Sequence, residues 1–358
     1  MNKYNFLHLI TAAAVLALQG CGGGGGGTSE PPPTQPSPPP PTSSQPSTPQ
    51  PPTSTSISAA TATANNNAMC TAIAPFHWEI GDKNGSMVSG NTGDGSVTET
   101  TPLLLASASK WIFGAYLTQL RGGNVTAADI KALTMNTGYT SLVYAACLRA
   151  LPSTQAAETV DQCFTSGTNN TYTAANDGKF HYDGGHFQWY ADTALGLGGD
   201  NSTALTTAVA AQVGQDFSFS YDSPQLAGGA KSTAADYAIF LRKMLNGQLV
   251  ISSLLGADAV CTNPTTCPTS TYAPIPSTES WHYSLAHWVE DDPVVGDGSF
   301  SSPGAFGFYP WIDHSKTYYG ILARYATNTG GTLATAPYYQ SVQCGRVIRK
   351  AWSTGVQQ

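Results

Sequence analysis

The sequence predicts one large domain that mixes antiparallel hairpins with helices. Near its start, residues 75–98 alternate apolar and polar side chains on both sides of the turn Asp82-Lys83-Asn84-Gly85, which is typical of a β-hairpin. Near its end, residues 302–325 repeat this pattern. Between the two, residues 225–249 place apolar side chains on one face of a helix that ends near Asn246. About 290 residues follow the N-terminal segments, enough for one large domain or two packed lobes.

The N-terminus carries the pattern of an exported lipoprotein. Residues 1–20 combine Lys3 with an apolar run that is too short to span a bilayer, which predicts a signal peptide. Leu18-Gln19-Gly20-Cys21 is similar to a bacterial lipobox, so we expect acylation of Cys21 and a membrane contact through this lipid anchor. We then expect an outer-membrane lipoprotein that faces the periplasm or the cell surface. Since Gln19 is unusual in a lipobox, plain secretion is the alternative.

Residues 21–67 are rich in glycine and then in proline, serine and threonine. Such a segment has few apolar side chains, so burial does not offset the conformational entropy that ordering would cost. We therefore predict a disordered tether over 21–67 and a folded domain over 68–358.

Charge and cysteine content exclude several classes of protein. The chain has 15 basic and 22 acidic residues without a basic cluster, which argues against nucleic acid as a partner. After Cys21, an even number of cysteines in an exported chain predicts three disulfides. Local spacing suggests the pairs Cys147–Cys163 and Cys261–Cys267, which leaves Cys70–Cys344. With neither HExxH nor CxxC present, we expect no metal and no cofactor.

Ser107-Ala108-Ser109-Lys110 contains the strongest catalytic signal. Residues three apart share one face of a helix, so the Lys110 amine would lie against the Ser107 hydroxyl. A lysine whose pKa is lowered by burial accepts a proton, which would make Ser107 a nucleophile. The alternative is a chance pattern on a solvated helix, because only two positions are fixed.

A second candidate, Tyr182, precedes the turn Asp183-Gly184-Gly185 and a predicted helix. A tyrosine in this setting is most often a half-buried aromatic residue. It becomes a candidate base or proton relay if its hydroxyl lies within reach of Ser107 and Lys110.

In their order along the chain, these stretches resemble the motifs of a known family. Residues 75–355 are similar to the serine hydrolases of the class C β-lactamase and penicillin-binding-protein group, which includes esterases and amide hydrolases. The matching stretches are S-x-x-K at Ser107, DIKALTMNTGY from Asp129, YDGG from Tyr182, GGAKSTAADYAIFLRKMLNG from Gly228, and Ser302-Pro303-Gly304 in place of the K/H-T-G triplet.

The resemblance implies an α+β fold. It comprises an antiparallel sheet of about five strands flanked by terminal helices, and an all-helical lobe inserted between Ser107 and about residue 275. The active site would lie in the cleft between them. Ser107 would be acylated, Lys110 would accept its proton, and Tyr182 would act as base. The backbone N–H groups of Ser107 and Ala305, the latter on a strand, would form the oxyanion hole.

Two departures from the family pattern affect the expected substrate. Gly184 replaces an asparagine, and Ser302 replaces the cation that helps to bind an anionic substrate. We therefore expect a carboxylesterase for neutral or apolar esters. The substrate-binding candidates are Gly184, Ser302, Gly304, Trp189 and Phe306. Core packing is the alternative for the aromatic residues near the third motif.

Other functions stay open. A β-lactamase, a D-Ala-D-Ala carboxypeptidase, or a hydrolase of oligomeric amides or esters is the first alternative, with Lys231 or Arg324 as a substitute cation. A non-catalytic, tethered binding lipoprotein is the second alternative.

Overall fold

The computed structural model describes residues 53–148, 158–327 and 332–358. The predicted signal peptide, the predicted lipidation site Cys21 and the tether up to residue 52 lie outside the described residues.

Within these described ranges, fifteen strands form four sheets. In chain order they are β1 (Phe76–Asp82), β2 (Gly85–Thr92), β3 (Leu103–Leu104), β4 (Thr137–Tyr139), β5 (Tyr172–Asp177), β6 (Phe180–His181), β7 (Phe219–Tyr221), β8 (Ala230–Ser232), β9 (Val260–Cys261), β10 (Ser270–Tyr272), β11 (His282–Tyr283), β12 (Trp288–Glu290), β13 (Ser299–Ser301), β14 (Tyr309–Ile312) and β15 (Tyr318–Ala323). The largest sheet has the order β2-β1-β15-β14-β13-β12-β11-β9, and its neighbouring strands are antiparallel.

Nine α-helices are present in the described part of the chain. They are α1 (Ser54–Asn66), α2 (Ala68–Thr71), α3 (Ser109–Leu120), α4 (Ala127–Leu133), α5 (Val160–Thr165), α6 (Gly185–Thr193), α7 (Ser202–Val213), α8 (Ala234–Leu245) and α9 (Pro337–Thr354). Short 3₁₀ turns lie at Ala106–Ala108, Tyr144–Cys147, Val250–Leu254 and Leu333–Thr335. None of the helices in these three ranges is long and apolar enough to cross a membrane.

The predicted α+β class is confirmed. Both predicted hairpins are present, as β1–β2 and β14–β15, and they meet because β1 pairs with β15. The sheet has eight strands instead of about five, since three short strands, β12, β11 and β9, extend it beyond β13. Six of the described helices, α3 to α8, lie between Ser107 and residue 275, but seven short strands, β4 to β10, lie there too, so the inserted region is not all-helical as the resemblance implied.

The predicted tether boundary at residue 67 is wrong. Helix α1 begins after Thr53, whose side chain accepts a hydrogen bond from Ser56 N, and it packs against α9. Its buried side chains are the small residues Ala59, Ala60, Thr63 and Ala64. Alanine is the best helix former and packs closely, so a Ser/Thr/Ala-rich composition that is typical of a linker here forms a packed helix. The folded domain therefore includes residues 53–67, which the prediction assigned to the tether.

The three predicted disulfides are confirmed. Cys70–Cys344 joins α2 to α9, Cys147–Cys163 joins the 3₁₀ turn Tyr144–Cys147 to α5, and Cys261–Cys267 closes a short loop after β9. The first of these bonds connects segments 274 residues apart, so it restrains the unfolded chain the most.

Candidate active site

The turn that carries Ser107 is held at both ends. Before it, Leu105 N donates to the carbonyl of Ala230 at 2.8 Å. After it, the Tyr237 hydroxyl donates to the carbonyl of Ala108 at 2.9 Å. Ala106 has a φ of +46°, which a residue with a Cβ rarely adopts. Such strain persists only where the surrounding structure enforces it, and it is found often at functional sites.

Lys110 lies directly against Ser107. Its Nζ is 2.9 Å from Ser107 Oγ and 2.9 Å from the carbonyl oxygen of Ala227, to which it donates a hydrogen bond. The lysine side chain is 1% exposed. Burial lowers the pKa of Lys110 to about 7, and the Asp183 carboxylate opposes this shift only in part. A large share of the amine is therefore neutral at neutral pH and able to accept a proton.

Tyr182 lies at the junction of β6 and α6, with its ring centroid 4.9 Å from Lys110 Nζ. The ring stacks on Trp288 at 5.1 Å. Burial raises the pKa of Tyr182, although a hydrogen bond with the Ser107 side chain acts in the opposite direction. The tyrosine is therefore protonated at neutral pH. The structure brings Ser107, Lys110 and Tyr182 together; their catalytic roles stay predictions.

The turn after Tyr182 is fixed by its own aspartate. The Asp183 carboxylate accepts hydrogen bonds from Gly185 N at 2.7 Å and from Leu142 N at 3.0 Å. A Cβ on Gly184 would lie 2.5 Å from Leu142 Cδ2 and 2.9 Å from Ala227 Cβ. The asparagine of the family motif would not fit here without a shift of Leu142. A direct substrate contact at Gly184 stays a prediction.

Sequence reasoning missed Tyr144, which also reaches Ser107. Burial raises the pKa of Tyr144, the Asp183 charge adds to this, and a hydrogen bond with the Ser107 side chain lowers it. Tyr144 belongs to no motif that we recognised, and its position three residues before Cys147 carries no catalytic signal. Only the folded loop shows the proximity.

The third motif, Ser302-Pro303-Gly304, packs against the turn that carries Ser107. Ser302 is 2% exposed, and its hydroxyl donates to the carbonyl oxygen of Ser107 at 2.9 Å. A Cβ on Gly304 would lie 2.1 Å from the carbonyl oxygen of Leu105, so only glycine allows this close approach. Ser302 and Gly304 therefore position the Ser107 turn, and their contact with substrate stays a prediction.

Ala305 lies in a turn and not on a strand, contrary to the sequence-based prediction. Gly307 N donates to the carbonyl of Gly304 at 2.8 Å, which closes the turn around Ala305, and β14 begins only at Tyr309. Within residues 53–148, 158–327 and 332–358, the backbone N–H groups of Ser107 and Ala305 have no acceptor. Two unpaired amides are what an oxyanion hole requires, although this role is untested.

The predicted aromatic pocket residues pack against other rings. Trp189 stacks on Tyr139 at 4.8 Å, and Phe306 lies 5.0 Å from the ring of Tyr325. The nearby aromatic residues of the sequence, Phe308, Tyr309 and Trp311, are buried in the core. Core packing is the alternative that we gave for the aromatic residues near the third motif. Substrate contacts at Trp189 and Phe306 stay predictions.

With this geometry in hand, comparisons with solved structures identify the fold. No protein-family model matches the chain, and no curated protein matches its sequence. A β-lactamase-like structure from Bacteroides dorei, described as a putative β-lactamase, aligns with a TM-score of 0.56 and 17% identity over 78% of this chain and 94% of that one. The chain therefore has the fold of β-lactamases and penicillin-binding-protein homologues.

Two further structures show how varied the proteins with this fold are. A D-stereospecific amidohydrolase from Streptomyces aligns with a TM-score of 0.54 and 13% identity, over 84% of this chain and 98% of that one. Simvastatin synthase from Aspergillus terreus aligns with a TM-score of 0.51 and 12% identity, over 82% and 99%. Identities this low show the fold alone, so activity is argued from the site.

Proposed function

We propose that this protein is a serine hydrolase that forms a covalent acyl-enzyme on Ser107, and that its substrates are neutral or apolar carboxylic esters. The observation that carries the proposal is the buried Lys110 amine, 2.9 Å from Ser107 Oγ and with a pKa of about 7. Burying an amine without a carboxylate partner costs free energy, so this position of Lys110 is better explained by catalysis than by a contribution to stability.

Acylation begins with neutral Lys110. Its Nζ takes the proton of Ser107 as Oγ bonds to the ester carbonyl carbon, and the N–H groups of Ser107 and Ala305 receive the developing oxyanion. The bond to the leaving oxygen then breaks, and that oxygen takes the proton from Lys110. Protonated Tyr182, whose ring lies over Lys110 Nζ, relays this proton instead of acting as a phenolate.

Deacylation reverses these steps with water. The water oxygen attacks the acyl carbon, its proton passes to Lys110, and Ser107 Oγ regains a proton as the acid leaves. The single assignment that differs from the family pattern is the base. Because burial raises the pKa of Tyr182 and lowers that of Lys110, the lysine is the stronger candidate at neutral pH.

Preference for neutral esters is supported by the third motif. Ser302 supplies a hydroxyl where a cation would stand, and this hydroxyl is bonded to the Ser107 carbonyl. A substrate carboxylate would thus lose a charge-assisted hydrogen bond, worth about 1.5 to 3 kcal/mol.

Arg324 favours a second candidate, the hydrolysis of β-lactams, peptide termini or oligomeric amides. Its guanidinium is buried against Gly307, it reaches Gln340 Oε1 only at 3.4 Å, and its Nη1 has no partner in the described part of the chain. Burial lowers the pKa of Arg324 to about 10, and it stays charged at neutral pH. An anionic substrate group would satisfy it.

Export and anchoring also remain proposals. A lipid on Cys21 followed by the glycine- and proline-rich segment would hold the domain near a membrane surface. The alternative of a non-catalytic binding lipoprotein is less well supported, because it assigns no role to the neutral amine beside Ser107.

Hydrolysis by the mature chain tests these possibilities. Initial rates would be measured with the disulfides formed, on short-chain nitrophenyl esters and on a chromogenic cephalosporin, with Ser107→Ala as the matched control. Ester turnover that is lost in Ser107→Ala, with the cephalosporin intact, supports the esterase. Rapid cephalosporin turnover favours the second candidate. If neither the wild type nor Ser107→Ala hydrolyses either substrate, catalysis on these substrates is contradicted.

A further inference from the structure

The loop from Leu142 to Leu148 carries Tyr144, and several contacts hold this loop in place beside the site. The disulfide Cys147–Cys163 ties the loop to α5. Val143 N donates to Asn169 Oδ1 at 2.6 Å, while Asn169 Nδ2 donates to the carbonyl of Cys163 at 2.7 Å. The covalent bond and the two hydrogen bonds thus hold the segment on either side of Tyr144.

Close packing against Gly228 locates the phenol. A Cβ on Gly228 would lie 2.8 Å from Tyr144 Cε1 and 3.2 Å from its hydroxyl oxygen. The preceding residue, Ala227, provides the carbonyl that accepts the hydrogen bond from Lys110. The Tyr144 hydroxyl is therefore next to the residue that orients Lys110. It is also close enough to the Ser107 side chain for Ser107 to oppose the rise in the pKa of Tyr144.

Tyr144 is also accessible from solvent, since the residue is 43% exposed. Tyr182 is less exposed and packs against Trp288 and Tyr283, whose ring centroids are 5.1 and 5.8 Å away. Of the two tyrosines, Tyr144 is the more exposed to a molecule that enters from solvent. Its raised pKa keeps the hydroxyl protonated, so it acts as a hydrogen-bond donor at neutral pH.

We propose that Tyr144 is a further catalytic residue, whose hydroxyl donates a hydrogen bond to the leaving-group oxygen as the ester bond breaks. This inference rests on the proposed serine hydrolase function. Tyr144 keeps its own proton throughout. The proton that the leaving alcohol carries away is the one that Ser107 gave to Lys110 and that Tyr182 relays, so the two tyrosines act on the same oxygen in different ways: Tyr182 passes a proton to it and Tyr144 donates a hydrogen bond.

A donor to the leaving oxygen matters most when that oxygen is strongly basic. The test is kcat/KM on one acyl group with a series of leaving groups, from nitrophenol to ethanol, because kcat/KM reports on acylation. For Tyr144→Phe we expect a loss of about 3-fold on the nitrophenyl ester and about 100-fold on the ethyl ester. The rate would then depend more steeply on leaving-group pKa than in the wild type.

Gly228→Ala provides an independent variant. Its added methyl group displaces the Tyr144 ring and hydroxyl, while the side chains of Tyr144, Ser107 and Lys110 are all retained, so we expect the same steeper dependence. Tyr172→Phe is the control, because this exposed tyrosine packs against Tyr139 away from Ser107, and we expect a wild-type slope. Melting temperatures check that the variants fold.

The outcomes separate the two proposals. Equal losses across the series, or none, in Tyr144→Phe would overturn the role of Tyr144 while the Ser107-dependent turnover of the wild type stands. A wild type that is as inactive as Ser107→Ala on the whole series would overturn the esterase function and this inference with it.

Discussion

Two regions of this protein bury basic side chains, but only one of them pairs these side chains with carboxylates. Under helix α9, Arg349 contacts Glu290 and Asp297, and Arg346 contacts Glu279 and Glu290. At the Ser107 turn, Lys110 is also buried, but its amine lies against the hydroxyl of Ser107, the carbonyl of Ala227 and the ring of Tyr182, and among the described residues it forms no ion pair with a carboxylate.

The consequences for the pKa are opposite as well. Burial acts to lower the pKa of Arg349, but its interactions with Tyr309, Asp297 and Glu290 raise it well above its usual value. For Lys110 burial prevails and lowers the pKa to about 7. A paired buried charge thus contributes to structure, whereas an unpaired one is available for proton transfer. The predictions below test this contrast.

The largest effect is expected from Lys110→Met, which removes the amine and retains an apolar side chain of similar length. We expect ester turnover to fall by about 10³-fold or more, because Ser107 loses its proton acceptor. We also expect the free energy of unfolding at neutral pH to stay the same or to rise, because folding lowers the pKa of this amine from about 10.4 to about 7 and that shift costs free energy. Turnover and urea unfolding measure the two quantities; a large loss of stability would contradict the contrast.

Arg349→Met should behave in the opposite way. It leaves Glu290 buried with one cation fewer and removes the bond to the Tyr309 hydroxyl at 2.9 Å. We expect a loss of about 3 to 5 kcal/mol in the free energy of unfolding, with kcat per folded molecule retained. Denaturant unfolding, together with rates measured well below the melting temperature, tests this. A selective loss of kcat would show that the two regions are coupled.

The dependence on pH should identify the base. Since Lys110 must be neutral, kcat/KM should rise with pH and level off above about 7. Because the lysine in the unfolded chain binds its proton up to about pH 10.4, this residue should also make stability rise with pH between about 7 and 10. Lys110→Met should lack that rise. A rate that increases up to pH 10 would indicate a tyrosinate base instead.

The smallest effect is expected from Ser302→Ala. It removes the hydroxyl that supports the Ser107 carbonyl, so we expect a loss of about 1 kcal/mol in stability and a decrease of at most about 10-fold in ester turnover. Ser301→Ala is a neighbouring control, because its hydroxyl is buried without a partner among the described residues. A decrease in turnover far above 10-fold for Ser302→Ala would instead place its hydroxyl at the substrate.

The sequence predicted those parts of the site that depend on local spacing. Ser107 and Lys110 meet because they are three residues apart on one helical turn, and Tyr182 precedes a recognisable glycine turn. Tyr144 could not be predicted, since its approach depends on a disulfide and on the packing of Gly228. The bond between Ser302 and Ser107 joins residues 195 positions apart, and no local pattern reports it.

The fold shows the same division. The two hairpins and helix α8 follow from periodicity and caps; the Thr233 side chain, for example, accepts from Asp236 N at the start of α8. Helix α1 was missed because its composition is typical of a linker, and its burial against α9 depends on contacts with the far end of the chain.

The most direct test of the account is the titration of Lys110 itself. NMR of the mature protein with ¹³C-labelled lysine side chains, and Lys110→Met to assign the signal, would follow the carbon next to Nζ as pH is varied. We expect Lys110 to titrate near pH 7, apart from the other lysines. Titration near pH 10 would contradict the central claim that a neutral amine activates Ser107.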